Sequence, residues 1–410
     1  MMSEQQKMYA KLAALFGITA VIAVGLFVLF TSGGPQITET PTPETPSVGS
    51  GSLPGSGVRP PGGTGGNGTD PGGPTTPGQL PVADVAQGGV TATNVLTTSA
   101  VVSPTPTTDG ISYYDPADGR FYTINTDGDV ERLGDVQFPD ADNIVFSPTA
   151  NQVAVEFPDG SNVIYDFTTA SQVSLPAHWE EFDFSNDGLS VVSKSIGNDA
   201  SNRALVISST DGSQTSVIAA LGENDDLVDV SMSPNSSVVG FSRTGGGGDV
   251  FGENTIYLLG PDGEASGALF VNGTNFKNIW SPDGTNLLYS VADAGDNYRP
   301  SLWYADSRGD RAGESRMKID LKTVVEKCVF ASESLAYCSA QNNAPAGSGN
   351  LTTLLSGPDN LYKVNLSSGL VTLIAEPEDE TVMNNLSISS DGANIFYTDA
   401  GGRLGTIRLK

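Results

Sequence analysis

Beyond about residue 100 the chain alternates short apolar runs with turn residues, and the alternation itself recurs. The recurring phrase is an apolar residue, then Ser (once Ala), then a turn-like pair. It reads Val102-Ser103-Pro104, Phe146-Ser147-Pro148, Phe184-Ser185-Asn186, Met232-Ser233-Pro234, Trp280-Ser281-Pro282, Phe330-Ala331-Ser332 and Ile388-Ser389-Ser390. The Ser or Ala positions follow one another at steps of 44, 38, 48, 48, 50 and 58 residues. Most of these phrases lead into an apolar stretch of strand length, such as Val153-Ala154-Val155, Leu287-Leu288-Tyr289 and Ile395-Phe396-Tyr397. These stretches are rich in β-branched and aromatic residues and bounded by Gly, Pro, Asp or Asn, which predicts strands. Several are apolar on both faces, as strands buried between stacked sheets must be.

A second turn follows in most units: Thr126-Asp127-Gly128, Thr210-Asp211-Gly212, Pro261-Asp262-Gly263, Ser307-Arg308-Gly309 and Ser367-Ser368-Gly369. Glycine there supplies the positive φ of a tight hairpin. Two turn signals in constant order per unit predict four-stranded antiparallel blades, and their serial repetition predicts an all-β β-propeller. The count is seven blades, with six as the alternative because the first unit is weak. The last unit has room for only two strands after Ser389. Closure is therefore expected from the chain around 94–102, added to the C-terminal blade.

The first part of the chain reads differently. Residues 12–30, LAALFGITAVIAVGLFVLF, are apolar apart from Thr19 and carry no charge. At the helical rise such a run spans about 28 Å, close to a bilayer core, and predicts a transmembrane signal-anchor helix. Lys7 and Lys11 precede it, and no basic residue follows until Arg59. The charge asymmetry places residues 1–11 in the cytoplasm and the propeller, 93–410, on the periplasmic or extracellular side. The alternative is a cleaved signal peptide, although no A-x-A-like site follows the apolar run. Residues 31–92 are dominated by Pro, Gly and Thr and are expected to form a disordered linker.

Charge narrows the function. The 410 residues include 20 Lys and Arg against 47 Asp and Glu, a net charge of −27. No basic stripe exists to displace the counterions of a nucleic acid, so no nucleic-acid partner is expected. With one His and two Cys, a zinc site of those ligands is excluded, and no metal or cofactor is expected. His178 stands alone between two units, and the expected propeller contains no G-x-S-x-G elbow. The acidic loops Asp127-Gly128-Asp129, Glu223-Asn224-Asp225-Asp226 and Asp293–Asp296 lack the EF-hand spacing and read as turn chemistry. Carboxylate pairs remain open, because their spacing in space is invisible in sequence.

Cys328 and Cys338 flank a predicted turn, and in an antiparallel hairpin of that register they face each other; a disulfide is expected. Gly245, Gly246, Gly247 and Gly248 do not open a helix and are not followed by Lys-Ser/Thr, which rejects a phosphate loop. They, with Gln341, Asn342 and Asn343, mark long excursions between strands and are the expected interaction loops.

The stretch WSPDGTNLLYS at 280–290 resembles the repeat of the TolB-like periplasmic propellers and their WD-repeat-like relatives. FSPTANQVAVEF at 146–157 and ISSDGANIFYT at 388–398 are looser copies. The resemblance implies a platform in the cell envelope that binds a protein or peptide partner; the lack of a catalytic constellation makes a non-enzymatic role the expectation, and the membrane anchor and long linker depart from the TolB pattern. The alternative is an extracytoplasmic enzyme or carbohydrate-binding protein that uses acidic residues at the mouth of the propeller channel.

Overall fold

A computed structural model describes residues 82–108, 110–243, 253–341 and 356–410. They form seven antiparallel blades of four strands arranged in sequence order, and one blade carries a fifth strand in parallel. The innermost strands are Val102–Pro106, Asn143–Phe146, Trp179–Phe184, Val228–Val230, Thr274–Trp280, Cys328–Ser332 and Asn384–Ile388, in blades 1 to 7. Each is followed outward by the next strands in chain order, except that the outermost strand of blade 7 is Asn94–Val95. The middle strands are buried on both faces, as in Asn162–Asp166 of blade 2, whereas the outer strand Ser171–Leu175 is largely exposed.

The Ser-Pro-Asp-Gly phrase owes its recurrence to one hydrogen-bonded turn between first and second strands. In blade 5 the buried Ser281 hydroxyl donates to Asp283 Oδ1 at 2.7 Å and accepts from Asn286 N–H at 2.9 Å. Gly284 closes the turn at φ 69°, and its N–H donates to Ser281 O at 2.8 Å. Ser185, Ser233 and Ser389 repeat the same pattern with Asp187, Asn235 and Asp391. Two of the seven phrases do not mark this turn. In blade 1 Ser103 and Pro104 lie inside the inner strand, and the turn is Thr107 to Gly110, where Thr107 N–H donates to Gly110 O at 2.8 Å. In blade 6 Ala331 is likewise in the strand, and Ser332 pairs with Leu335 across a tighter turn.

The buried apolar side chains fall into seven clusters, one at each junction between neighbouring blades. Between blades 1 and 2, Phe121 meets Phe138, Phe146 and Phe167 edge-on at ring-centroid distances of 5.6, 5.5 and 5.2 Å. Each buried Leu, Val or Phe contributes about 1.5–3 kcal/mol, so the fold is held by the sum of seven interfaces.

The ring closes as the short last unit requires. Asn94–Val95 pairs antiparallel with the C-terminal strand Leu404–Arg408, matching Asn94 with Thr406 and Val95 with Gly405. A Cβ on Gly405 would lie 2.6 Å from the Tyr397 ring, so the closing strand needs glycine there. The ordered chain starts earlier than the linker composition suggests. Val90–Thr91 adds in parallel to Val371–Pro377 of blade 6, and Gly88 N–H donates to Ile374 O at 2.7 Å. These backbone pairings override local composition, and at residues 82–92 they correct the expected linker.

Cys328 and Cys338 form a disulfide between directly paired residues of the first two strands of blade 6, with their Cα atoms 4.1 Å apart. Among the described residues no helix is long and apolar enough to cross a membrane. The expected span 12–30 lies outside the described residues, as do residues 1–11 and the linker up to 81.

Closure also depends on one buried hydroxyl. Thr97 Oγ1 accepts from Leu404 N–H and donates to Ser99 O, both at 2.9 Å. Replacing Thr97 with Val leaves both partners unsatisfied, and a destabilisation of about 1–3 kcal/mol is expected in equilibrium denaturation. An unchanged midpoint would show that this joint contributes nothing to closure.

Candidate functional site

Alternation of strand direction puts two sets of connections on one face: those leading into the inner strands, and those joining second to third strands. This mouth face gathers charged residues from several blades. Four inner strands carry a non-glycine residue in the left-handed region at equivalent places: Ser103 at φ 51°, Glu181 at φ 57°, Asn275 at φ 57° and Asn385 at φ 49°. Each sits at a bulge in the pairing with the second strand. Such conformations cost about 1 kcal/mol or more each and persist where surroundings hold them. At Glu181 the holding group is Lys194, a buried side chain whose Nζ lies 2.5 Å from Glu181 Oε1. The same ammonium reaches the carbonyls of Val228 and Asp225 at 3.2 and 3.3 Å, tying blade 3 to blade 4.

Carboxylates from blades 2 and 3 converge beside it. Burial raises the Glu156 carboxyl above its usual range; the hydrogen bond from Asn143 opposes this, and the charges of Glu180, Glu181 and Asp142 add to it. That bond runs from Asn143 Nδ2 to Glu156 Oε1 at 2.6 Å. Further along the inner strand of blade 3, Asp183 accepts from Met232 N–H of blade 4 at 2.6 Å. Burial pushes its carboxyl up to about 6, although that backbone donor pulls the other way.

On the other side of the mouth a cavity of about 130 Å³ opens where blades 4 and 5 meet the connection into blade 6. Ser290, Ala292, Pro300 and Val324 line it and are buried, and Phe276 is half-buried. Asp229, Arg243, Lys277 and Glu326 bring charge to it. Two larger cavities lie against the N-terminal segment. One of about 430 Å³ is bordered by Val90, Gln341, Asp359 and Glu376, and one of about 540 Å³ by Asn94, Asp127, Asp391 and Lys410.

Blade 6 is fixed at this face by a buried ion pair. Lys327 Nζ lies 2.5 Å from Asp359 Oδ2, and their side chains are 1% and 0% exposed. The same oxygen accepts from Met383 N–H of blade 7 at 2.8 Å, while Asp359 Oδ1 has no hydrogen-bond partner among the described residues. Burial pushes the Asp359 carboxyl up and the Lys327 ammonium down; the attraction between them opposes both shifts.

Most residues singled out in the sequence lie away from this arrangement. Gly245, Gly246, Gly247, Gly248, Asn342 and Asn343 fall outside the described residues. Gln341 is half-buried at the end of the second strand of blade 6. His178 is exposed at the start of blade 3. The acidic loops serve turns and ion pairs: Asp225 meets Arg203 at 2.8 Å, and Asp296 is bound by Lys318 and Lys322. Among the described residues no group of three or more His, Cys, Asp or Glu is placed to hold a metal ion.

The residues that sequence reasoning missed had a signal. Asp183 stands between Phe182 and Phe184, and Asp229 between Val228 and Val230, on stretches that otherwise read as buried strand. A charge at such a position faces a channel or a partner.

No protein-family profile and no curated protein matches the chain. Solved structures do. An oligogalacturonate lyase in complex with manganese aligns over 78% of this chain and 93% of its own, with a TM-score of 0.50 and 14% identity. The tricorn protease aligns over 76% of this chain and 33% of its own, with a TM-score of 0.50 and 11% identity. An oligogalacturonate lyase from Vibrio parahaemolyticus aligns over 78% and 93%, with a TM-score of 0.47 and 10% identity. Likeness at these identities is one of fold, and a propeller is what stands of the TolB resemblance. The expectation that the chain is not an enzyme is corrected: oligogalacturonate lyase is an enzyme on a propeller of similar fold, so the architecture gives no ground for excluding catalysis.

Two outcomes follow from the buried charges. Asp183 holds its proton more tightly folded, at about 6, than at the ordinary value of 3.8. The stability linked to that proton is complete below about pH 4 and lost as pH rises through about 6. The Asp183→Asn variant, whose amide oxygen still accepts from Met232 N–H, should lose this decline in thermal scans between those pH values; an identical slope would refute the assignment. Lys327→Ala strands the Asp359 carboxylate, and a loss of about 3–5 kcal/mol is expected by chemical denaturation.

Proposed function

We propose that the protein is carbohydrate-active, taking an uncharged or positively charged glycan at the channel mouth. The observation that carries this reading is the convergence of Glu156 with Asp142, Glu180 and Glu181, in which burial and like charge raise the Glu156 carboxyl above its usual range. Ionised carboxylates accept hydrogen bonds from sugar hydroxyls, and a raised carboxyl beside them is the arrangement that donates a proton to a leaving oxygen. Glu180 and Glu181 supply the acceptors, and Glu156 supplies the proton when bond cleavage follows. A polyanionic glycan is disfavoured by these charges and by the net charge of −27. The likeness to a propeller enzyme supports the reading at the level of fold alone. We place the domain on the periplasmic or extracellular side, anchored through residues 12–30; the Cys328–Cys338 disulfide supports an oxidising surrounding.

Glycan-array binding followed by calorimetry tests the proposal. The wild-type protein should retain neutral or amino-sugar glycans, and Glu180→Gln should weaken them about ten-fold, the loss of a charge-assisted hydrogen bond. Glu156→Gln should leave binding within about three-fold and abolish any release of reducing ends. No retained glycan, or binding indifferent to both substitutions, would overturn the reading.

A further inference from the structure

The small cavity between blades 4, 5 and 6 has features the carboxylate cluster lacks. Its lining is apolar at depth, through Ala292, Pro300 and Val324, with Phe276 beside them. Opposite charges line the same space. Arg243 is held at one side, donating from Nη2 to Asp226 O at 3.1 Å, with Nε 3.3 Å from Asp229 Oδ2. That Nε is buried and makes no hydrogen bond among the described residues. Lys277 is exposed on the inner strand of blade 5 and has no partner among the described residues. In a chain with 47 acidic residues against 20 basic ones, an ammonium left unpaired beside a guanidinium is out of keeping with its surroundings. Glu326, also exposed and unpaired among the described residues, faces the same cavity from the connection into blade 6.

A volume of about 130 Å³ corresponds to a space roughly 6 Å across, too small for an oligosaccharide or a folded partner. A ligand matching this lining is small, with a carboxylate for Arg243 and Lys277, an ammonium for Asp229 and Glu326, and an apolar part for Phe276. We propose that this cavity is a binding site for a small zwitterion, a free α-amino acid. Arg243 and Lys277 hold the carboxylate, and Glu326 with Asp229 holds the ammonium. The charge pairs are those a free amino acid needs at both ends, whereas a lone anion would leave the two acids facing it. The site is separate from the glycan reading and does not depend on Glu156 or Glu180.

Calorimetry and thermal-shift assays of the full chain against the twenty free amino acids test it, with acetate and methylamine as single-charge controls. Saturable binding of at least one amino acid is expected, with a rise in Tm that grows with ligand concentration. Lys277→Gln and Glu326→Gln should each weaken binding about ten-fold. Both side chains are exposed, so the Tm of the free variants should match wild type and separate lost binding from lost folding. Glu156→Gln should leave amino-acid binding unchanged, which keeps this test apart from that of the glycan site. Binding absent up to about 10 mM amino acid would overturn the proposal. So would acetate binding as tightly as any amino acid, or binding undiminished in both variants.

Discussion

Everything in this fold depends on closing the ring. A blade is a wedge with two apolar faces, and each face is covered only by the next blade. Seven junctions carry seven clusters of buried side chains, and opening one exposes both of its faces to water. The joint where this can happen is small. Two paired residues, Asn94 with Thr406 and Val95 with Gly405, connect the two ends of the domain. The hydrogen bonds of Leu96 and Val101 with Leu404 and Gly402, and the packing of Leu96 and Val101 into the junction of blades 7 and 1, supplement them. The parallel addition at Val90–Thr91 extends the clasp to blade 6, so the N-terminal segment spans three blades before the first inner strand begins.

Inside the ring, polar side chains staple blade to blade where apolar packing ends. Ser103 donates to Ile144 O, Met232 N–H donates to Asp183, Trp280 donates to Ser231 Oγ, and Ser339 donates to Met383 O. Each joins neighbouring blades across the channel wall. A buried polar group left unpaired costs about 1–3 kcal/mol, so these bonds set the angle at which blades meet as well as adding stability. Asp359 extends the principle, since one carboxylate oxygen serves both Lys327 and Met383 N–H.

The same arrangement distributes charge. Cations are scarce, and several near the mouth are committed to structural partners: Lys194 to Glu181, Arg203 to Asp225 and Lys327 to Asp359. Carboxylates therefore remain in excess beside blades 2 and 3. Near blades 4 to 6, Lys277 is unpaired and Arg243 incompletely bonded among the described residues. The two sides of one mouth thus differ in the chemistry they offer, and both readings of function rest on that asymmetry.

Periodicity determined the propeller and favoured seven blades over six, because turn chemistry is local: Ser185, Ser281 and Ser389 are each followed two residues on by Asp and three on by a positive-φ Gly, and Ser147 and Ser233 carry variants of the same turn. The facing of Cys328 and Cys338 was legible for the same reason, since register across a short hairpin follows from the residues between. Local patterns misled where the register was irregular. Ser103-Pro104 imitates the turn phrase yet lies in a bulged strand, and the polar stretch at 82–92 acquires structure only by pairing with strands some 300 residues away. Tertiary structure alone decided the site. Glu156 feels the charges of Glu180 and Glu181, and Lys277 and Glu326 come to line one cavity, across blades that no spacing along the chain relates; proximity there is a product of ring geometry, and so is the raised carboxyl of Glu156.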